Sequence, residues 1–427
     1  MKSRPQLLKK PRWYADQRID RSSMFLGVRR WIWLAFLGIA IVGLILVAYQ
    51  RNRDRNAARL QAECLVARKS ENWPELEQLA VAWGLIQPTR FEPFLLAAQA
   101  AEQQGDKVRT ASYLLEMPDD APIEALLQLG LLQFEELNDP LGSIRTCEKV
   151  LQRDSKNSEA HERLLFFWTM TQSATRIRQE ALRGIRHGSA TIVTYAYLFG
   201  AEKLRFRDAK ETNRHWLESN PKEELFLVPT VLNFISSFEN KESSTPNEDS
   251  DLAQRQSKVD ADLNQLWKEY PSNSEVIAAL LEREIQRGNI ETVESILRNA
   301  VAISAIDNRY WRAKGWLHSN RMEYEEALVS YDRAIRLAPM DWQTFHERAN
   351  VDRQLGDLNA IENDTRIAVL GGELTQQLNL ATSIFSLERV FYERLANFAE
   401  LCDQPGIASG IRAQLPSYVP SNTIISP

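Results

Sequence analysis

The sequence predicts an all-α protein whose helical hairpins repeat along the chain and stack into an α-solenoid. Apolar residues recur at helical spacing, whereas alternating apolar and polar runs bounded by turns are scarce. Three sets of positions share one fixed spacing, a period of about 34 residues: Ile277, Trp311 and Phe345; Gly288, Met322 and Gly356; Ala300, Ala334 and Ala368. In such a chain each pair of helices packs on its neighbours, so stability is a sum over repeats.

The N-terminal part predicts a basic tail followed by a transmembrane helix. Residues 1–30 hold nine lysines and arginines, and residues 31–49 (WIWLAFLGIAIVGLILVAY) carry no charge. Nineteen helical residues extend about 28 Å, close to the ~30 Å of bilayer hydrocarbon. A cleaved signal peptide fits less well, since no small-residue cleavage site follows. We therefore expect one uncleaved anchor at residues 31–49.

The distribution of basic residues predicts the orientation of that anchor. Residues 51–70 hold six lysines and arginines, against nine in residues 1–30. The positive-inside bias favours a cytoplasmic N-terminus and repeats on the exoplasmic or periplasmic side. The difference is small, so the reverse orientation stays open.

The segment Asn308 to Asp341 is the clearest copy of the repeat. Six of its residues match the spacing of the signature W-x2-L-G-x2-Y, A-x3-F, P: Trp311, Gly315, Ala327, Tyr331, Ala334 and Pro339. On these residues the chain resembles the tetratricopeptide repeat family. Lys314 and His318 depart from the signature, standing where Leu and Tyr are usual.

Each matching residue has a physical role. Gly315 and Ala327 are small where the two helices of the repeat cross closely, and Tyr331 fills the space between helices. Ala334 lets the next repeat approach. Pro339 ends the second helix, because it lacks an N–H and clashes with the preceding turn.

The solenoid is expected over residues 50–415. Its clearest repeats are 274–307, 308–341 and 342–375, and upstream pairs are weaker, with turns near 105–106 and 138–140. Residues 239–251 (ENKESSTPNEDSD) predict a polar, acidic loop inserted within a repeat. Residues 378–415 predict two capping helices, and residues 416–427 a flexible tail.

Composition limits the partners. Residues 1–60 have a net charge of +10 and the whole chain −5, so residues 61–427 carry −15. Nucleic-acid phosphates would be repelled by that acidic remainder, which predicts no nucleic-acid partner. The three cysteines form neither a zinc motif nor a disulfide framework.

Catalytic motifs are missing from the sequence. It has no phosphate-binding GxxxxGK[ST], no HExxH and no GxSxG, and its five histidines are dispersed. We predict no catalytic, cofactor or metal site, and a chain that is not an enzyme.

The resemblance implies a concave groove lined by the first helix of each repeat, where peptides usually dock. The groove positions in the clearest copies are Arg309, Arg312, Trp316, Ser319, Asn320, Gln343, His346, Asn350 and Arg353. Arginines grip carboxylates bidentately, and an exposed Trp is a common anchor. Some relatives clamp a C-terminal carboxylate with Lys, Asn and Arg, but Trp316 and Ala313 depart from that clamp.

The leading functional hypothesis is a scaffold, tethered to the membrane by residues 31–49, that binds a protein or peptide partner without catalysis. One alternative is a structural platform in the cell envelope that associates with itself. Another is an envelope enzyme whose site the sequence does not reveal.

Overall fold

A computed structural model confirms an all-α chain of helical hairpins. The structure describes residues 21–204, 206, 209–239 and 248–420. Within those ranges it contains twenty α-helices and no strand. Short turns join consecutive helices, so neighbours along the chain run antiparallel and pack as pairs. Residues 1–20 of the predicted basic tail, 240–247 of the predicted loop and 421–427 of the predicted tail lie outside the described part.

The chain forms two compact units, of which the first comprises Met1–Asp106 and Glu116–Pro118. Its helices are α1 (Arg21–Lys69), α2 (Trp73–Ile86) and α3 (Glu92–Gln103). The C-terminal half of α1 packs on α2 through residues spaced three and four apart, as one helix face requires. The buried residues of that face are Ala57, Leu60, Cys64 and Ala67.

Helix α1 corrects the predicted membrane anchor. In the described part of the chain, no helix has both the length and the apolar character that crossing a bilayer demands. The predicted localisation, a single-pass membrane protein with a cytoplasmic N-terminus and exoplasmic repeats, is therefore wrong.

The second unit comprises Lys107–Leu115 and Asp119–Pro427. Its helices up to the predicted acidic loop are α4 (Lys107–Leu115), α5 (Ile123–Glu135), α6 (Pro140–Arg153), α7 (Ser158–Met170), α8 (Ala174–His187), α9 (Ile192–Gly200), α10 (Ala209–Ser219) and α11 (Glu224–Glu239). Those after it are α12 (Glu248–Glu269), α13 (Ser274–Gln286), α14 (Ile290–Asn299), α15 (Asn308–Asn320), α16 (Tyr324–Leu337), α17 (Trp342–Leu355), α18 (Leu358–Leu380), α19 (Arg389–Leu401) and α20 (Pro405–Gln414).

The period found in the sequence is present in the helix boundaries themselves. Helices α13, α15 and α17 each start one period after the last, and so do α14, α16 and α18. The N-caps of the first set recur with them. Asn273, Asp307 and Asp341 each accept a hydrogen bond from a backbone N–H of the first turn, which satisfies a donor that the helix leaves free.

The turns between paired helices share one backbone conformation. Gly288, Met322 and Gly356 have φ of 72°, 63° and 79°, the left-handed region that ends many helices. In each turn the next residue donates its N–H to the carbonyl five positions back, as Glu323 does to His318 at 2.9 Å. The geometry recurs upstream at Gln172, with φ of 52°.

The hairpin α15–α16 confirms the packing predicted for the clearest copy. Gly315 lies against the ring of Tyr331, and Ala327 and Ala334 are fully buried. Helix α16 ends at Leu337, two residues before Pro339. Small residues at the crossing therefore let the two backbones approach closely.

The C-terminal helices return to the middle of the second unit. Gln414 on α20 donates its side-chain amide to the carbonyl of Ala190 at 2.9 Å, and Leu378 packs against Gly200. One apolar core runs from Leu126 to Leu415 and includes residues of α9, α18, α19 and α20. A second core joins α11 to α15. The groove lies beside this second core.

Candidate functional site

The first helices of consecutive hairpins wall an open cavity of about 690 Å³ in the second unit. Most of its lining residues lie on α11, α13 and α15. The lining includes Glu275, Ala278, Ala279, Glu282 and Gln286 on α13, and Arg309, Arg312, Ala313 and Trp316 on α15. Spacings of three and four residues place each set on one helix face. The volume is within the ~300–1,000 Å³ that ligand sites usually occupy.

The structure brings four of the predicted groove positions to this cavity. They are Arg309, Arg312, Trp316 and Gln343. The other predicted positions are not among its lining residues: Ser319, Asn320, His346, Asn350 and Arg353.

Several of the residues outside the lining interact locally. The side-chain amide of Asn320 donates to the carbonyl of Trp316 at 2.9 Å. Arg353 donates to the side-chain oxygen of Asn350 at 2.8 Å. His346 is exposed on α17. The predicted patch is therefore divided between the cavity and the outer part of α17.

Arg309 is held by two carboxylates of its own chain. Its guanidinium donates to Glu275 at 2.7 and 3.0 Å, and to Asp307 at 2.7 and 3.0 Å. Paired bonds of this kind are among the stronger hydrogen bonds in proteins. Burial alone raises the pKa of the Asp307 carboxyl, but the charge of Arg309 outweighs burial and holds that pKa below its usual value.

Arg312 joins two distant parts of the chain. It donates to Asp341, the N-cap of α17, and to Glu202, which follows α9, at 3.0 Å. Glu202 also accepts from Arg178 at 3.0 Å and from the amide of Asn308 at 2.8 Å. Burial raises the pKa of the Glu202 carboxyl, but Arg312 and then Arg178 lower it well below its usual value.

Together these contacts form a buried ionic network made of Arg178, Glu202, Glu275, Asp307, Arg309, Arg312 and Asp341. Thr175 on α8 extends it by donating to Asp307 at 3.2 Å. The network cross-links α8 and the end of α9 to α13, α15 and α17. Its arginines hold the solenoid together, so their charge is already matched inside the protein.

Part of the cavity was recoverable from the sequence and part was not. Glu275, Ala278 and Glu282 lie one period before Arg309, Arg312 and Trp316, so the repeat identifies them. Glu202 and Leu232 also line the cavity, but they belong to hairpins whose sequence lost the period.

The three cysteines are buried and free. Burial is the main cause that raises the pKa of Cys147 to about 12 and that of Cys64 to about 11. Their thiols stay protonated at neutral pH, which makes them poor nucleophiles.

Sequence comparison finds neither a matching family model nor a matching curated protein. The structural matches include helical-repeat proteins. A tetratricopeptide repeat protein from Parabacteroides merdae is 11% identical, with a TM-score of 0.26, covering 70% of this chain and 99% of that one. The Cut9–Hcn1 hetero-tetramer of the APC/C is 12% identical, with a TM-score of 0.31, covering 86% and 80%. The TPR domain of P58(IPK) is 12% identical, with a TM-score of 0.23, covering 70% and 98%.

Structures this dissimilar support no conclusion about the function of the chain. The tetratricopeptide-like character rests on the chain itself, because its helix starts, N-caps and turn residues recur with one period between Asn273 and Leu380.

Proposed function

We propose that this chain is a scaffold without a reaction of its own, and that it binds a protein or peptide in the cavity walled by α11, α13 and α15. The observation that carries the proposal is the 690 Å³ cavity formed by the first helices of consecutive hairpins. Stacked helices hold such a surface in shape, so a bound segment meets side chains that are already placed.

The composition of the wall supports a peptide ligand. Ala278, Ala279 and Ala313 are small, which lets an extended backbone approach the helices closely. Trp316 is half-buried, with its ring packed against the neighbouring core and its remaining surface in the cavity. A supported aromatic ring of this kind is a common anchor in protein interfaces.

Site-specific photo-crosslinking of the full chain tests the proposal. A photoreactive amino acid at position 286, which is exposed and lines the cavity, is compared with the same amino acid at position 329. Val329 is 66% exposed on α16 and is not among the lining residues. We expect defined adducts between the chain and its protein or peptide ligand from position 286 alone.

Substitution of Trp316 provides a second test of the proposal. Trp316→Ala should remove the adducts, and Trp316→Phe should retain most of them, because a ring remains in place. Equal adducts from both positions, or adducts that persist in Trp316→Ala while its circular dichroism is unchanged, would contradict the proposal.

A further inference from the structure

The ionic network determines the charge that the cavity offers to a ligand. Arg309 is matched by Asp307 and Glu275, and Arg312 by Asp341 and Glu202. Arg178 is the third cation of the network and shares Glu202. Three guanidinium groups thus meet four carboxylates, so this part of the wall has no net positive charge. The arginines of the groove helices, considered without their partners, would predict a cationic wall.

Two further carboxylates line the cavity without an ion-pair partner among the described residues. They are Glu282 on α13, which is exposed, and Glu347 on α17, which is half-buried. Lys203 and Arg283 also line the cavity. Arg283 is paired with Asp260 at 2.5 Å, a carboxylate that Arg287 shares. The lining residues alone hold four carboxylates and four cations. Their buried partners Asp307 and Asp341 add two carboxylates against the single cation of Arg178, so the cavity keeps a net negative charge once its internal pairs are counted.

The position of Trp316 adds an aromatic ring next to that negative charge. It lies on α15, and α15 packs against both α13 and α17. Its ring shares the cavity with the two unpaired glutamates. Arginine and lysine side chains bind well where an aromatic face and carboxylates are offered together, because the ring quadrupole and the carboxylate charges both attract a cation.

We propose that the cavity selects a basic peptide, one that places an arginine or lysine side chain against Trp316 and between Glu282 and Glu347. This inference rests on the proposed function, and it reverses the polarity that Arg309 and Arg312 predict from the sequence. A ligand carboxylate would meet guanidinium groups already occupied by Asp307, Glu275, Asp341 and Glu202. A ligand cation would meet Glu282 and Glu347, for which the described part of the chain supplies no ion-pair partner.

Fluorescence anisotropy with two peptides tests the inference on the full chain. One probe is a short peptide of alternating arginine and serine, acetylated and amidated so that its ends carry no charge. Its twin has glutamate in place of arginine. We expect the arginine probe to bind at least about tenfold more tightly, with a preference that shrinks as salt is added.

A charge-matched pair of variants locates the effect. Glu282→Gln/Glu347→Gln should weaken the arginine probe about tenfold, since two charge contacts are lost. Glu325→Gln/Glu326→Gln removes the same charge from the exposed first turn of α16 and should leave binding unchanged. Equal weakening by both pairs, or tighter binding of the glutamate probe, overturns the inference.

The remaining outcomes separate this inference from the proposed function. If the wild type binds neither probe but still gives adducts at position 286 that depend on Trp316, the basic-peptide inference is wrong and the groove proposal stands. If those adducts are missing as well, both are wrong.

Discussion

Replacing Gly315 by alanine tests the close crossing of α15 and α16. A Cβ at this position would lie 2.6–2.8 Å from three ring atoms of Tyr331, whose side chain is 1% exposed. A rigid, buried ring has no free direction to move, so a helix must shift. Overpacking of this kind costs about 1–3 kcal/mol, and removing a helical glycine returns about 0.5–1 kcal/mol. We expect a net loss of up to about 2.5 kcal/mol.

A second glycine provides the matched control. Gly372 lies inside α18, and a Cβ there would meet no atom within 4 Å. Gly372→Ala should therefore stabilise its helix by about 0.5–1 kcal/mol. Hydrogen exchange followed by mass spectrometry suits the comparison, because repeat proteins open locally. Amides of α15 and α16 should lose protection in Gly315→Ala alone. Equal protection in the two variants would refute the packing argument.

Three more predictions concern the network and the C-terminal contact. Arg309→Met leaves the buried Asp307 carboxylate without its main counter-charge and should cost about 3–5 kcal/mol; an unchanged urea midpoint contradicts this. The pKa values of Glu202 and Asp307 are lowered in the fold. The stability that these carboxylates contribute is therefore complete above the ordinary carboxyl pKa near 4 and is lost as the pH falls below it. A urea midpoint that does not decrease when the pH is lowered from 4 to 2 would be evidence against the network. In Gly410→Ala a Cβ would overlap the hydroxyl of Tyr195, so α20 should lose exchange protection where it packs on α9; full protection argues against that contact.

The part of the fold predicted best is the part where one physical requirement recurs. A turn between antiparallel helices needs a left-handed residue at a fixed place, and the phase of Gly288 and Gly356 shows where. Met322 occupies the same place between them with φ of 63°. Position in the repeat, rather than residue type, therefore determines the backbone conformation there.

Upstream turns were recoverable only where the residue itself favours a left-handed backbone. Gly105 and Asn138 mark turns in the sequence, and both have positive φ. Glu71 and Gln172 have φ of 55° and 52°, although neither residue type favours that region. The spacing between consecutive members of this group stays close to the period of the later repeats, so the period continues towards the N-terminus even at Glu71 and Gln172, where the residue type gives no signal.

The polarity of the cavity could not be predicted from the groove helices, because a helical face fixes the direction of a side chain and not its partner. Arg312 points into the groove as the period predicts, yet Glu202, which matches its charge, lies 110 residues earlier in the chain. The main role of an arginine in this wall is consequently to stabilise the fold. Replacing it removes a cross-link between distant hairpins, and lost binding then reports on folding as much as on recognition.

Glu282 and Glu347 have no such internal partner among the described residues, so their neutralisation changes the charge of the cavity while the network stays intact. The unpaired residues of the groove, rather than its most conspicuous cations, are therefore the positions at which recognition can be separated from stability.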